Sequence, residues 1–232
     1  ADVYYFWIFY HITRFWLIQM LQNRNEVKHV LNSRPNSFQQ QTLELLQIDS
    51  ADFGYLNPSA TKFRQLYLPV GIHRFSFTHP GAIKWLRAQL LPLDSCPHRR
   101  IFLSRQDAAR RRLLNEEKII NRLKPHGFEV IVPSSLSVAD QIEVFSQAEI
   151  VVGPHGSGFA NMVFASPQAK MIEIHSPHWA LGFYRSLAWM MGQQHGQVIG
   201  FTRSPSEDPM QDYFANSRDV ESLVLEELAE KK

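Results

Sequence analysis

The sequence predicts an α/β protein whose C-terminal part is a doubly wound parallel sheet. Three observations carry this. From Arg100 onward, short apolar runs alternate with helical periodicity in a β-α-β-α-β-α-β-α-β rhythm. One short connection follows another, which means parallel strands joined by right-handed crossovers. The stretch Ile150 to Ile174, IVVGPHGSGFANMVFASPQAKMIEI, reads as a strand, a glycine-rich turn, a short helix and a second strand.

The elements follow in order. Tyr4 to Leu21 has neither Gly nor Pro and is expected to be helical, with aromatic residues on every side and therefore covered all round. Arg14 near its centre would cost about 2.5–3.5 kcal/mol in a membrane, so a buried helix is expected rather than a span. No basic start precedes the apolar run, so no signal peptide is expected. Thr42 to Leu46 reads as a short helix, Gly54 and Asn57-Pro58 as turns, and Phe63 to Val70 (FRQLYLPV) as a strand ended by Pro69. His79-Pro80-Gly81 is a turn, Ala82 to Leu91 a helix, and Asp94 to Arg100 a linker. Then come a strand (Ile101 to Leu103), a basic loop through Arg110, Arg111 and Arg112, a helix (Leu113 to Lys124) and a strand (Phe128 to Val132). Ser137 caps the next helix with Asp140 three residues on. After Ile174 a helix (Ala180 to Met191) ends at Gly192, Gln197 to Phe201 is a strand, and Val220 to Leu228 a final amphipathic helix.

Composition narrows the function. With 44% hydrophobic and 20% charged residues the chain is globular, and a net charge of +2 gives no argument for nucleic acid. Cys96 is the only cysteine, which excludes an internal disulfide and a cysteine-based metal site and agrees with a reducing, cytoplasmic setting. Association with a membrane surface stays open. Asp-x-Asp is absent, and Pro177 spoils His175 and His178 as a helical metal pair, so no metal site is expected.

The residues able to carry chemistry gather where the strands end. Glycines at 153, 156 and 158 let the backbone approach a ligand, and a helix start there offers free N–H groups to a phosphate. Pro154 breaks the dinucleotide fingerprint, and no Walker lysine is present, so neither a nicotinamide nor a P-loop site is expected. Arg105, directly at a strand end, is expected to grip a diphosphate. Arg111 and Arg112 read as solvated or paired with Glu116 and Glu117. Asn115 either caps a helix or touches ligand. His155 is expected to orient or protonate a departing phosphate. Glu173, alone in an apolar strand, needs a partner, either a ribose diol or a loop arginine. Asn161 points either way. His11 and Arg14, three apart, share a helix face; residue types alone favour a satisfied core histidine and an arginine at a rim.

The segment from Ile101 to Ile174 resembles the C-terminal half of glycosyltransferase family 61. Ser104, Arg105, Arg112, Asn115, Gly127, Phe128, Gln141, Phe145, Ala148, His155, Gly156, Gly158, Asn161 and Glu173 match its pattern in order, over roughly a third of the chain. The N-terminal match is thinner: Trp7 and Arg14 fit, while Phe6, Tyr10 and Thr13 stand where the family often has His, an acid and Pro. The resemblance implies a GT-B architecture, with a smaller N-terminal α/β domain beside the parallel sheet. It implies an inverting, metal-independent transfer of a sugar from a nucleotide-sugar donor to a hydroxyl acceptor, without a further cofactor. Residues 1–97 are then an acceptor-side domain short of the family's usual length, 98–203 the donor-binding domain, and 204–232 a linker and helix. Donor contacts fall to Ser104, Arg105, Arg112, Asn115, His155, Gly156, Ser157, Gly158, Asn161 and Glu173. His155 and His11 are the catalytic candidates, His11 standing in for the missing acid as the base. The alternative is a non-catalytic nucleotide- or glycan-binding module with a degenerate site.

Overall fold

A computed structural model describes residues 3–21, 29–31, 34–49, 53–56, 61–74, 76–92, 95–203 and 208–229. The turn expected at Asn57-Pro58, and residues 204–207 and 230–232 of the expected linker and helix, lie outside the described residues. The N-terminal aromatic segment is helical, but not uniformly α. Helix α1 (Tyr4–Phe6) runs into a π-helical stretch (Trp7–Ile12) and then α2 (Arg14–Ile18). Tyr5, Trp7, Ile8, Phe9 and Ile12 are buried, while Phe6 is 40% exposed, so the cover is not complete. Among the described residues no helix is long and apolar enough to cross a membrane.

Strand β1 (His29–Leu31) pairs in parallel with β2 (Phe53–Tyr55). Between them α3 (Ser37–Leu45) is longer than the sequence suggested and takes in the glutamine run. A reciprocal cap explains this: Asn36 Oδ1 accepts from Gln39 N, and Gln39 Oε1 accepts from Asn36 N. The strand expected over FRQLYLPV does not form. Leu66, Leu68 and Val70 are 60–70% exposed, and no described strand lies alongside to take up the backbone groups. The chain instead forms a two-residue hairpin, β3 (His73–Arg74) with β4 (Phe77–Thr78). Helix α4 (Pro80–Leu90) starts at what the sequence presented as a turn, with Pro80 at its first position and His79 Nδ1 accepting from Gly81 N.

The main sheet has five parallel strands: β5 (Arg99–Leu103), β6 (Phe128–Ile131), β7 (Ala148–Pro154), β8 (Lys170–His175) and β9 (Gln194–Ile199). Their order is β6-β5-β7-β8-β9. Strands β7 and β8 are buried along their whole length, as expected of strands covered on both faces. Alternation divides their side chains between two clusters. Ile101, Leu103, Val151 and Met171 face one way, onto α6 (Val138–Ser146), a 3₁₀ helix (Ser157–Phe164) and α7 (Phe183–Met191). Phe102, Ile150, Val152, Ile172 and Ile174 face the other way, onto α5 (Glu116–Leu123) and α8 (Ser217–Ala229). The segment after Gly156 is therefore 3₁₀, not α. Tyr5, Ile8, Phe9, Ile12, Leu43, Phe53 and Leu86 belong to the first cluster, so elements on both sides of residue 97 share one apolar core.

Candidate functional site

The strand order reverses between β5 and β7. The chain leaves β5 for β6 on one side and later places β7 on the other, and open parallel sheets of this kind bind ligands beyond the strand ends at that crevice. Ser104-Arg105 follows β5 directly, and His155-Gly156 follows β7. Two glycines permit the close approach there. A Cβ on Gly153 would lie 2.3 Å from Leu103 O, and one on Gly156 would lie 2.7 Å from Arg105 Nε. Arg105 crosses the crevice and donates from Nη1 to His155 O at 2.5 Å. The first 3₁₀ bond runs from Phe159 N to Gly156 O, so the amides of Ser157 and Gly158 precede it and have no partner within the helix. An open hollow of about 390 Å³ meets this corner at Arg105 and is otherwise lined by residues of the 106–120 segment, among them Gln106, Arg112 and Glu116; no residue of the glycine turn lines it.

Behind the turn lies a buried polar cluster centred on Glu173, which is 0% exposed. Its Oε1 meets His155 Nδ1 at 2.6 Å, and its Oε2 meets His195 Nε2 at 2.8 Å and His175 Nε2 at 3.6 Å. The His155 ring stacks on His175 with centroids 4.9 Å apart and lies 5.4 Å from the Tyr184 ring. Burial pushes the Glu173 pKa up, but hydrogen bonds from the three histidines outweigh it and hold the carboxyl well below its usual range. Burial pulls the His155 pKa down, helped by His175 and Arg111 and opposed by Glu173; the net shift is downward. An ionised Glu173 only accepts hydrogen bonds, so a neutral His155 carries its proton on Nδ1 and its lone pair on Nε2. The pairing of Glu173 with a ribose or a loop arginine is thereby corrected: its oxygens face histidines, inside the core.

The cluster contains a group of side chains that could hold a metal ion, which the sequence reading had not singled out. Donor atoms of His155, Glu173 and His175 lie within 4.8 Å of one another. Two donors on one tetrahedral zinc stand about 3.3 Å apart. The contacts of 2.6 and 2.8 Å that Glu173 makes with His155 and His195 are those of a hydrogen-bonded cluster.

Other candidates are committed elsewhere. Ser104 is buried; its Oγ donates to Glu116 and accepts from Gln106 N. Burial raises the Glu116 pKa, and the bonds from Ser104 and Arg105 only partly offset it. Arg112 pairs with Asp212 through Nε and Nη2 at 2.8 and 2.7 Å, not with Glu116 or Glu117. Asn115 is neither a side-chain cap nor free for ligand: its amide donates to Ala215 O and accepts from Ala215 N. Asn161 is fully buried, accepting from Tyr4 Oη and donating to Gln141 Oε1, both at 2.8 Å. It ties α1 to α6. His11 is half-buried and stacks on Trp7 at 5.9 Å; burial and the neighbouring Arg14 lower its pKa.

The fold also brings in four residues that sequence reasoning did not place in the site: His175 and Arg111, which it had read otherwise, and His195 and Tyr184, which it did not consider. Strand alternation signals the first, because Glu173 and His175 are two apart on one face. His195 comes from β9, in register with Met171, and had no sequence signal.

Two comparisons with known proteins bear on the chain. A family model described as Glycosyltransferase 61 matches residues 4–172. A curated relative, a β-1,2-xylosyltransferase from Arabidopsis thaliana, is 24% identical over 132 residues; the match covers 51% of this chain and 22% of the relative.

Proposed function

The chain belongs to the glycosyltransferase 61 family, and on that footing we propose that it moves a hexosyl or pentosyl group from a nucleotide-sugar donor to a hydroxyl of a glycan or related acceptor. We take the anomeric carbon to be inverted without a metal ion, and the sheet of residues 98–203 to be the donor half of a GT-B architecture with 1–97 on the acceptor side. One observation carries this reading. Arg105, just past β5, donates to the main chain of His155, just past β7, and Ser157 and Gly158 open the 3₁₀ helix that follows, beside the switch point between the two strands. Charge grows on the leaving diphosphate as the bond from C1 to its oxygen breaks, and guanidinium and main-chain N–H groups held in place stabilise that charge.

The acceptor oxygen attacks C1, the electron pair of the old bond leaves with the diphosphate, and the hydroxyl proton passes to a base. A neutral imidazole held at Nδ1 by a carboxylate accepts a proton at Nε2. Protonating the departing phosphate would instead need the imidazolium, which burial, His175 and Arg111 disfavour. His155 therefore fits the base better than it fits an acid, and better than His11, whose ring lies on Trp7.

The test is calorimetric titration of nucleoside diphosphates into wild type and Arg105→Ala. Loss of a charge-assisted contact should weaken binding by about tenfold or more; equal affinity removes the anchor of the scheme. Donor hydrolysis separates transferase from binding module: release of nucleotide from any donor in a panel supports the enzyme, and none at all supports the binder.

A further inference from the structure

Arg111 differs from its neighbours in the basic loop. Arg110 is exposed and Arg112 is held by Asp212. Arg111 is half-buried and adopts φ 53°, a left-handed conformation that is strained for a residue with a Cβ. Its amide donates to Met210 O at 3.2 Å, and its guanidinium stands 5.0 Å from the Trp179 ring centre. Among the described residues no carboxylate pairs with it. The groups acting on it are Arg105, Tyr213 and Tyr184, and burial together with the like charge of Arg105 lowers its pKa. Ser176, bridged to Trp179 at the end of β8, is 3% exposed, and its Oγ has no partner among the described residues. Arg105 reaches the residue after β7 and Arg111 the segment after β8, the next strand of the sheet, so two partly buried guanidiniums stand at neighbouring strand ends, and like charges so placed repel unless an anion joins them.

We propose that Arg111, steadied on Trp179, is the second arm of an oxyanion site, so that Arg105 and Arg111 each take one phosphate of a diphosphate. The inference rests on the donor reading of Arg105 and adds what the site selects: two linked phosphates over one. Trp179 and the strained turn set the plane of the Arg111 fork, and a bidentate contact depends on that plane.

The experiment titrates inorganic pyrophosphate and orthophosphate into wild type, Arg111→Gly and Arg111→Lys. Glycine suits the left-handed turn, so Arg111→Gly removes the guanidinium while relieving strain. Wild type should prefer pyrophosphate by roughly tenfold or more, Arg111→Gly should lose most of that preference with orthophosphate affinity within about twofold, and Arg111→Lys should regain only part. An intact preference in Arg111→Gly, or equal loss for both anions, overturns the inference. Failure of the donor reading is a separate result: Arg105→Ala then binds nucleoside diphosphates as wild type does, whatever Arg111→Gly does to pyrophosphate.

Discussion

Glu173 shows what one buried carboxylate can do at the scale of a residue. Among the described residues it has no arginine or lysine partner; three imidazoles surround it, and it holds His155 in one tautomer. Hydrogen bonds to a buried charged group are worth about 1.5–3 kcal/mol, so Glu173→Gln should lower the unfolding free energy by an amount of that order. The pH dependence has a definite sign. His155 and Glu173 both have folded pKa values below their unfolded ones, so each binds more protons unfolded than folded as the pH falls. Their stabilisation is present above the unfolded pKa and lost on acidification, beginning near pH ~6.5 for His155 and again below ~4.3 for Glu173. Tm measured from pH 8 to 4 should decline on the acid side, and His155→Asn should flatten the upper part of the decline. A Tm that rises on acidification through pH 6.5 would contradict the assignment.

At the scale of elements, two glycines of one turn do different work. Gly153 lets β7 lie against the β5 main chain, where a methyl group would meet a carbonyl oxygen that cannot move without breaking the sheet. Gly156 makes room for the Arg105 side chain, which can swing away. Gly153→Ala should therefore cost stability, about 1–3 kcal/mol as overpacking does, read by urea unfolding. Gly156→Ala should leave the fold largely intact while weakening nucleoside diphosphate binding, as Arg105→Ala does. Equal effects of the two substitutions on stability and on binding would refute this division. The 3₁₀ helix that follows is locked from both sides, by Tyr4 and Gln141 on Asn161 and by Gln193 on Met162 O. The turn before it is thus held by segments from three parts of the chain.

At the scale of the whole molecule, one face of the sheet is covered by α5 and α8, the other by α6, α7, the 3₁₀ helix and the N-terminal aromatic segment. The aromatic segment has no core of its own: Tyr5 packs against Phe183 and Tyr184 of α7, at 5.2 and 5.7 Å between ring centroids. A shared apolar core couples the folding of the parts that line it. Thermal unfolding should therefore show one cooperative transition, with fluorescence of the N-terminal tryptophans and far-UV circular dichroism changing together. Two separated transitions would mean that the N-terminal elements fold independently of the sheet.

The sequence by itself determined the parallel sheet, its helices, the Ser137 cap and the strand-end positions of Arg105 and His155. All of these follow from local periodicity, turn chemistry and capping, which act over a few residues. Only the tertiary structure decided what each polar side chain faces. Arg112, Asn115 and Asn161 looked like ligand contacts, but their partners lie about a hundred residues away or on another helix. His195 reaches Glu173 from a strand that no spacing rule connects to it. FRQLYLPV has the residues of a strand and, among the described residues, no neighbouring strand to pair with. Whether a polar group meets a ligand, a histidine or another backbone depends on which distant segments the fold brings beside it, and that is settled by packing, not by the residues adjacent in the chain.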